Sequence, residues 1–145
     1  HSQLRDGIGG VQIAVKDYTE AYETYSQGYI YVAPSKREGL GLPILEAMSC
    51  GLAVITTDGA PMNEWFNDKR LLVKAQEDKM FPQQHWGDIP LYIPQVFDLM
   101  QKMEFAVKNP QTMKEIGQEN RYRAETLYSW HALKDHWINL FQETL

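Results

Sequence analysis

The sequence predicts an α/β fold: a parallel sheet of about four strands with flanking helices, followed by a run of C-terminal helices. Three observations carry that prediction. Short apolar runs alternate with helical patterns through the first half of the chain. The run Tyr29–Ala33 is almost continuously apolar, as expected of a parallel strand covered on both faces. The last third reads as consecutive helices, with no strand pattern between them.

Taken in order, Gln12–Val15 is a short β run after a Gly-rich opening. Asp17 is an N-cap candidate for a helix over Tyr18–Gln27, whose Tyr18, Ala21, Tyr22 and Tyr25 recur at helical spacing, with Gly28 as its stop. Tyr29–Ala33 is the second strand. The next helix starts at Pro43, because proline's missing N–H would be unpaired at that position anyway, and stops at Gly51. Ala53–Thr56 and Arg70–Val73 read as the third and fourth strands, with a short helix over Pro61–Phe66 between them. Residues 74–90, polar and carrying Pro82 and Pro90, read as a long surface loop. Helices over Pro94–Lys108, Pro110–Thr126 and Ser129–Glu143 complete the chain, the last with an apolar stripe of Trp130, Leu133, Trp137, Leu140 and Phe141.

The 145 residues suit one domain, 1–145, of ordinary globular composition. A net charge of −5 argues against nucleic acid as a partner, since that role needs a basic face. No apolar stretch approaches the ~20 residues of a transmembrane segment, and no signal peptide is visible. The one cysteine, Cys50, fits a reducing compartment and a cytoplasmic location. It is expected to pack as a small helix residue beside Gly51. His131 and His136, five apart, do not share a helical face, and with His85 they give no metal site.

The chemistry concentrates at Tyr31–Ala60. Ligands of open α/β sheets bind beyond the carboxyl ends of the strands, where the loop Pro34–Leu42 must lie. Gly39 and Gly41 let the backbone approach a ligand, and helix-entry N–H groups around Leu42–Leu45 favour an anion such as a phosphate. Glu38 and Glu46 bracket this junction with seven residues between them. Carboxylates only accept hydrogen bonds, so they suit the hydroxyls of sugars and of a ribose diol. A phosphate between two diol binders describes a nucleotide sugar.

The stretch Pro34-Ser35-Lys36-Arg37-Glu38-Gly39-Leu40-Gly41-Leu42-Pro43-Ile44-Leu45-Glu46-Ala47-Met48-Ser49-Cys50-Gly51, with Ala53–Thr57 and Gly59–Glu64, resembles the donor-site signature of retaining glycosyltransferases of the group 1, glycogen-synthase-like type. The resemblance is dense from Tyr29 to Glu64 and looser to the Tyr128-Ser129-Trp130 helix, which looks like that family's C-terminal crossover helix. It implies a Rossmann-like domain of the GT-B architecture and a nucleotide diphosphate sugar as donor. Glu38 would be the catalytic-site residue that holds the transferred sugar near its anomeric carbon. The backbone of Gly39, Leu40, Gly41 and Leu42 would bind the sugar and distal phosphate, and Glu46 the ribose. The family is generally metal-independent and needs no cofactor. Retention there is described as front-face substitution guided by the leaving diphosphate, so Glu38 is a positioning group rather than an established base. Glu64 faces solvent or caps in a bland reading, although the family often has a carboxylate there.

The resemblance also implies what this stretch of sequence lacks: two earlier strands, the basic pair that neutralises the diphosphate, and the N-terminal acceptor domain. Lys16 and Lys36 do not match that pair by position. The chain is therefore expected to be a truncated C-terminal donor-binding domain, the His1-Ser2 opening being compatible with a tag remnant, and to be inactive in transfer alone. An uncovered sheet edge and final helix leave homodimerisation open. Two rival readings are a dinucleotide-binding Rossmann unit of an oxidoreductase and a non-catalytic GT-B-like interaction module. The first would use Gly39-x-Gly41 with Asp58 as the ribose acid, but it lacks the third glycine, replaced by Ile44, and the tight turn. The second is disfavoured by the intact Glu38 and Glu46.

Overall fold

The computed structural model describes residues 3–6, 12–15, 21–80 and 89–143. Strands β1 (Gln3–Asp6) and β2 (Gln12–Val15) pair antiparallel, Gln3 opposite Val15. Helix α1 (Ala21–Tyr25) leads to β3 (Ile30–Ala33), α2 (Leu42–Ser49) and β4 (Ala53–Thr57). Strand β5 (Leu72–Val73) completes a parallel three-stranded sheet of order β3-β4-β5. A second antiparallel ribbon follows, β6 (Ala75–Met80) with β7 (Ile89–Pro94). Helices α3 (Val96–Lys108), α4 (Pro110–Arg123) and α5 (Trp130–Glu143) end the chain, a π-helical turn over Ala124–Tyr128 linking the last two.

Central strand β4 organises the core. All five of its residues are buried, and their alternation divides the core in two. Val54 packs with Ile44, Ala47, Met48 and Met62 of one cluster, on the side covered by α2. Ala53 and Ile55 pack with Val73, Ala106, Met113 and Ile116 of the other, covered by α3 and α4. Each fully buried side chain of this size contributes about 1.5–3 kcal/mol.

Local sequence sets the ends of α2. Gly41 is its N-cap at φ +83°, a left-handed conformation in which a side chain would be strained, and Pro43 occupies the first turn. At the other end Gly51 takes φ +78°, its N–H reaching Met48 O at 2.9 Å and that of Leu52 reaching Ala47 O at 3.0 Å. This is the paired-bond stop that a glycine allows. Helix α4 crosses there at backbone contact. A Cβ on Gly117 would lie 2.1 Å from Gly51 O, and the buried Asn120 Nδ2 donates to Leu52 O at 2.9 Å.

The α/β class holds, with differences in detail. Gln12–Val15 does not join the parallel sheet. The five residues between β1 and β2 are too few for a parallel crossover and suffice for an antiparallel connection. The β6–β7 ribbon replaces part of the expected loop over 74–90: β6 lies within it and β7 begins at Ile89. The exposed Gln76, Glu77 and Asp78 need no apolar pattern in a two-stranded ribbon, and β7, an edge strand, tolerates Pro90 and Pro94. The helix expected from Pro94 therefore starts at Val96. Pro61–Phe66 forms turns rather than a helix, with Glu64 N–H on Pro61 O at 3.1 Å, and only Leu72–Val73 of the fourth strand is paired. Asp17, Tyr18, Lys16, Pro82 and His85 lie outside the described residues.

Candidate functional site

Strand β3 ends at Ala33, and the loop to α2 begins with Pro34 and Ser35, the Ser35 N–H returning to Ala33 O at 2.8 Å. That turn aims the Ser35 hydroxyl along the loop, where Oγ donates to Glu38 Oε1 at 2.7 Å. Glu38 is half-buried and lines a cleft of about 430 Å³ with Arg37, Gly39, Pro61 and Glu64. Glu46, in the second turn of α2, lines a different concavity of about 340 Å³ with Tyr22, Tyr25, Leu42 and Ser49. Its Oε2 accepts a 2.7 Å hydrogen bond from the Tyr25 hydroxyl. Each glutamate is thus held through one oxygen by a hydroxyl donor.

Tyr31 relates the two carboxylates. Its ring meets Tyr25 edge-on, centroids 5.6 Å apart. Burial raises its hydroxyl pKa, and the charges of Glu38 and Glu46 add to that rise. Tyr25 is also shifted well upward, first by burial and then by its bond to Glu46.

The remaining predicted residues divide by environment. Gly39 faces open space, a Cβ there meeting nothing within 4 Å. Gly41 does not: it is buried, and a Cβ would lie 3.3 Å from Ile44 Cδ1, so its conformation serves the helix entry. Leu40 and Leu42 expose their side chains, while Leu40 O accepts from Trp65 Nε1 at 3.1 Å. The helix entry offers fewer free donors than the sequence suggests. Ile44 and Leu45 N–H both point to Gly41 O, at 2.9 and 3.3 Å, and Pro43 has none, which leaves Leu42. No side chain caps this end.

A second loop, after β4, faces the first. Asp58 N–H bonds Val73 O at 2.8 Å, and its carboxylate accepts from Asn63 Nδ2 at 2.8 Å. One residue earlier, the Thr57 hydroxyl is fully buried without a hydrogen-bond partner. Glu64 is exposed. Tyr92 of β7 joins both loops: its N–H donates to Lys36 O at 2.8 Å, and its ring lies so close over Gly59 that a Cβ there would sit 2.3 Å away. Sequence reasoning missed Tyr92 because residues 91–93 fall between the expected loop over 74–90 and the expected helix from Pro94 and receive no element. The β-favouring run Ile89-Pro90-Leu91-Tyr92-Ile93 was the available signal. Cys50, expected to be packed, is exposed on the rim of the Glu46 concavity. Among the described residues no group of three or more His, Cys, Asp or Glu is placed to hold a metal ion. No described helix is long and apolar enough to cross a membrane.

A parallel strand, a Gly-containing loop with one glutamate and a helix carrying a second define the class to which the chain is compared. The family model described as "Glycosyl transferases group 1" matches residues 2–84. The chain belongs to this family. Among curated relatives, sulfoquinovosyl transferase SQD2 of Arabidopsis thaliana is 29% identical over 130 residues, covering 90% of this chain and 23% of that protein. Alpha-maltose-1-phosphate synthase of Mycolicibacterium smegmatis is 24% identical over 142 residues, 98% of this chain and 34% of its own length. O-antigen chain mannosyltransferase B of Escherichia coli reaches 44% identity over 53 residues, 37% of this chain and 14% of that protein. The chain therefore spans about a quarter to a third of the first two relatives. Membership in this family decides against the dinucleotide-binding alternative.

Proposed function

We propose that this chain is the nucleotide-sugar-binding part of a retaining GT-B glycosyltransferase, which moves a sugar from a nucleotide diphosphate donor to an acceptor. The observation that carries the reading is the placement of Glu38 and Glu46 on either side of the α2 entry, beyond the carboxyl end of β3, each with one oxygen held and the other available. Glu38 receives the hydroxyls of the transferred sugar in the cleft it shares with Gly39 and Glu64. Leu42 N–H and the backbone of Gly39–Gly41 meet the distal phosphate, and Glu46 binds the ribose. Lys36 and Arg37, exposed on the same loop, supply positive charge near the diphosphate. The reaction is metal-independent in this reading: the C1–O bond to the diphosphate breaks as the acceptor oxygen bonds C1 on the same face. The acceptor proton passes to the departing phosphate oxygen.

The test is a thermal-shift panel of nucleotide sugars on the full chain, with and without EDTA. Stabilisation by one donor class, unchanged by EDTA and lost in Glu38→Ala and Glu46→Ala, supports the reading. A panel that shifts the wild type and both variants equally contradicts it.

A further inference from the structure

Tyr25 lines the Glu46 concavity, and the proposed reaction leaves it without a task. It is 9% exposed, packed in the same cluster as Ile44 and Met48, and set edge-on against Tyr31. Its hydroxyl nevertheless reaches out of that core to the exposed Glu46, 21 residues away in sequence, at 2.7 Å. A long carboxylate on the outside of a helix ordinarily samples several rotamers, and ordering it for a ligand costs conformational entropy. A rigid donor removes most of that freedom in advance.

We propose that Tyr25 is the positioning residue that fixes Glu46 for recognition of a ribose diol, holding Oε2 so that Oε1 is the oxygen offered to ligand. This rests on the reading of Glu46 as the ribose binder. A buried phenol suits the task. Burial and the Glu46 charge both hold it protonated, so it donates across the whole physiological range. Its ring contacts with Tyr31 fix the angle of approach. The shared concavity, lined by Tyr22, Tyr25, Leu42 and Glu46, is about 340 Å³, room enough for a pentose.

The experiment titrates the full chain with ADP, GDP and UDP and with their 2′-deoxy counterparts, and reads the ribo-to-deoxy affinity ratio. Tyr25→Phe keeps the ring and the core contacts and removes only the donor. It is expected to lower the ratio about threefold to tenfold, the scale of one ordinary hydrogen bond lost, while affinity for the deoxy nucleotide stays unchanged. In a Glu46→Ala background, which should itself lose the ratio, Tyr25→Phe should add nothing. A ratio retained in Tyr25→Phe but lost in Glu46→Ala overturns the role of Tyr25 and leaves the ribose reading standing. Equal weakening of ribo and deoxy binding in Tyr25→Phe assigns Tyr25 to general structure and also overturns the proposal. A ratio unaffected by Glu46→Ala, or no nucleotide binding at all, removes the ribose reading and this inference with it.

Discussion

Gly41 and Gly117 show how different the demands on a single residue type can be. At Gly41 the left-handed backbone is the constraint, so Gly41→Ala should destabilise the chain by about 1–2 kcal/mol, read as a lower denaturant midpoint at constant slope. At Gly117 the constraint is space: a Cβ 2.1 Å from Gly51 O forces α4 away from the α2–β4 junction. Gly117→Ala should therefore cost about 3 kcal/mol. The tyrosines set the alkaline limit. Tyr25 and Tyr31 titrate above their ordinary value of 10.0 in the folded chain. Their contribution is fully present below pH 10 and falls as pH rises from there toward the raised folded values. Tyr25→Phe should flatten the loss of thermal stability between pH 10 and 11 relative to the wild type; identical pH profiles would show that the shift at Tyr25 carries no stability. Glu38 and Glu46 stand out in the sequence as candidates because a family motif brackets them. Tyr25, Ser35 and Tyr92 were not assigned to the site. Their importance comes from partners across the fold or from a turn whose geometry no spacing reveals.

Elements were legible where a stop signal and a period agreed. Helix α2 has both, Pro43 at its start and Gly51 at its end, and the sequence placed it to within a residue or two. The β6–β7 ribbon has neither, since a two-stranded ribbon buries no regular face. Yet this ribbon anchors its surroundings. Tyr92 fastens Lys36 of the first loop and covers Gly59 of the second. Tyr92→Ala should speed amide exchange across residues 36–41 and 59–64 by about tenfold or more, with protection of β4 unchanged, in a hydrogen-exchange comparison. Where the ribbon hands over to α3, the buried Asp98 accepts the Lys74 N–H at 2.8 Å, and Gln95 N–H returns to Lys74 O at 2.8 Å. Asp98→Ala removes the acceptor of the Lys74 N–H and should cost about 0.5–1.5 kcal/mol in urea denaturation, whereas Asp98→Asn, which keeps an acceptor, should cost less.

At the scale of the molecule, stability and recognition occupy different regions. The two faces of β4 hold the core, whereas α5 has no buried residue and leaves Trp130 and Phe141 more than half exposed. The proposed donor site lies at one end of the sheet, in loops tied to the rest of the fold by hydrogen bonds to the backbone: Lys36 O accepts from Tyr92, Leu40 O from Trp65, and Asp58 N–H donates to Val73. Loops so tied take their shape from contacts within this chain. Transfer is a different matter, because it requires an acceptor oxygen held beside the anomeric carbon, and the relatives that perform whole reactions are three to four times longer than this chain. The 145-residue polypeptide assayed by itself should therefore bind a nucleotide diphosphate sugar and release no nucleoside diphosphate above the blank rate with any glycan or lipid acceptor supplied. A coupled nucleoside-diphosphate assay run beside the thermal-shift panel separates the two properties. Binding without release would place recognition in this chain and catalysis in the pairing of domains, and acceptor-dependent release would show that one domain suffices for both.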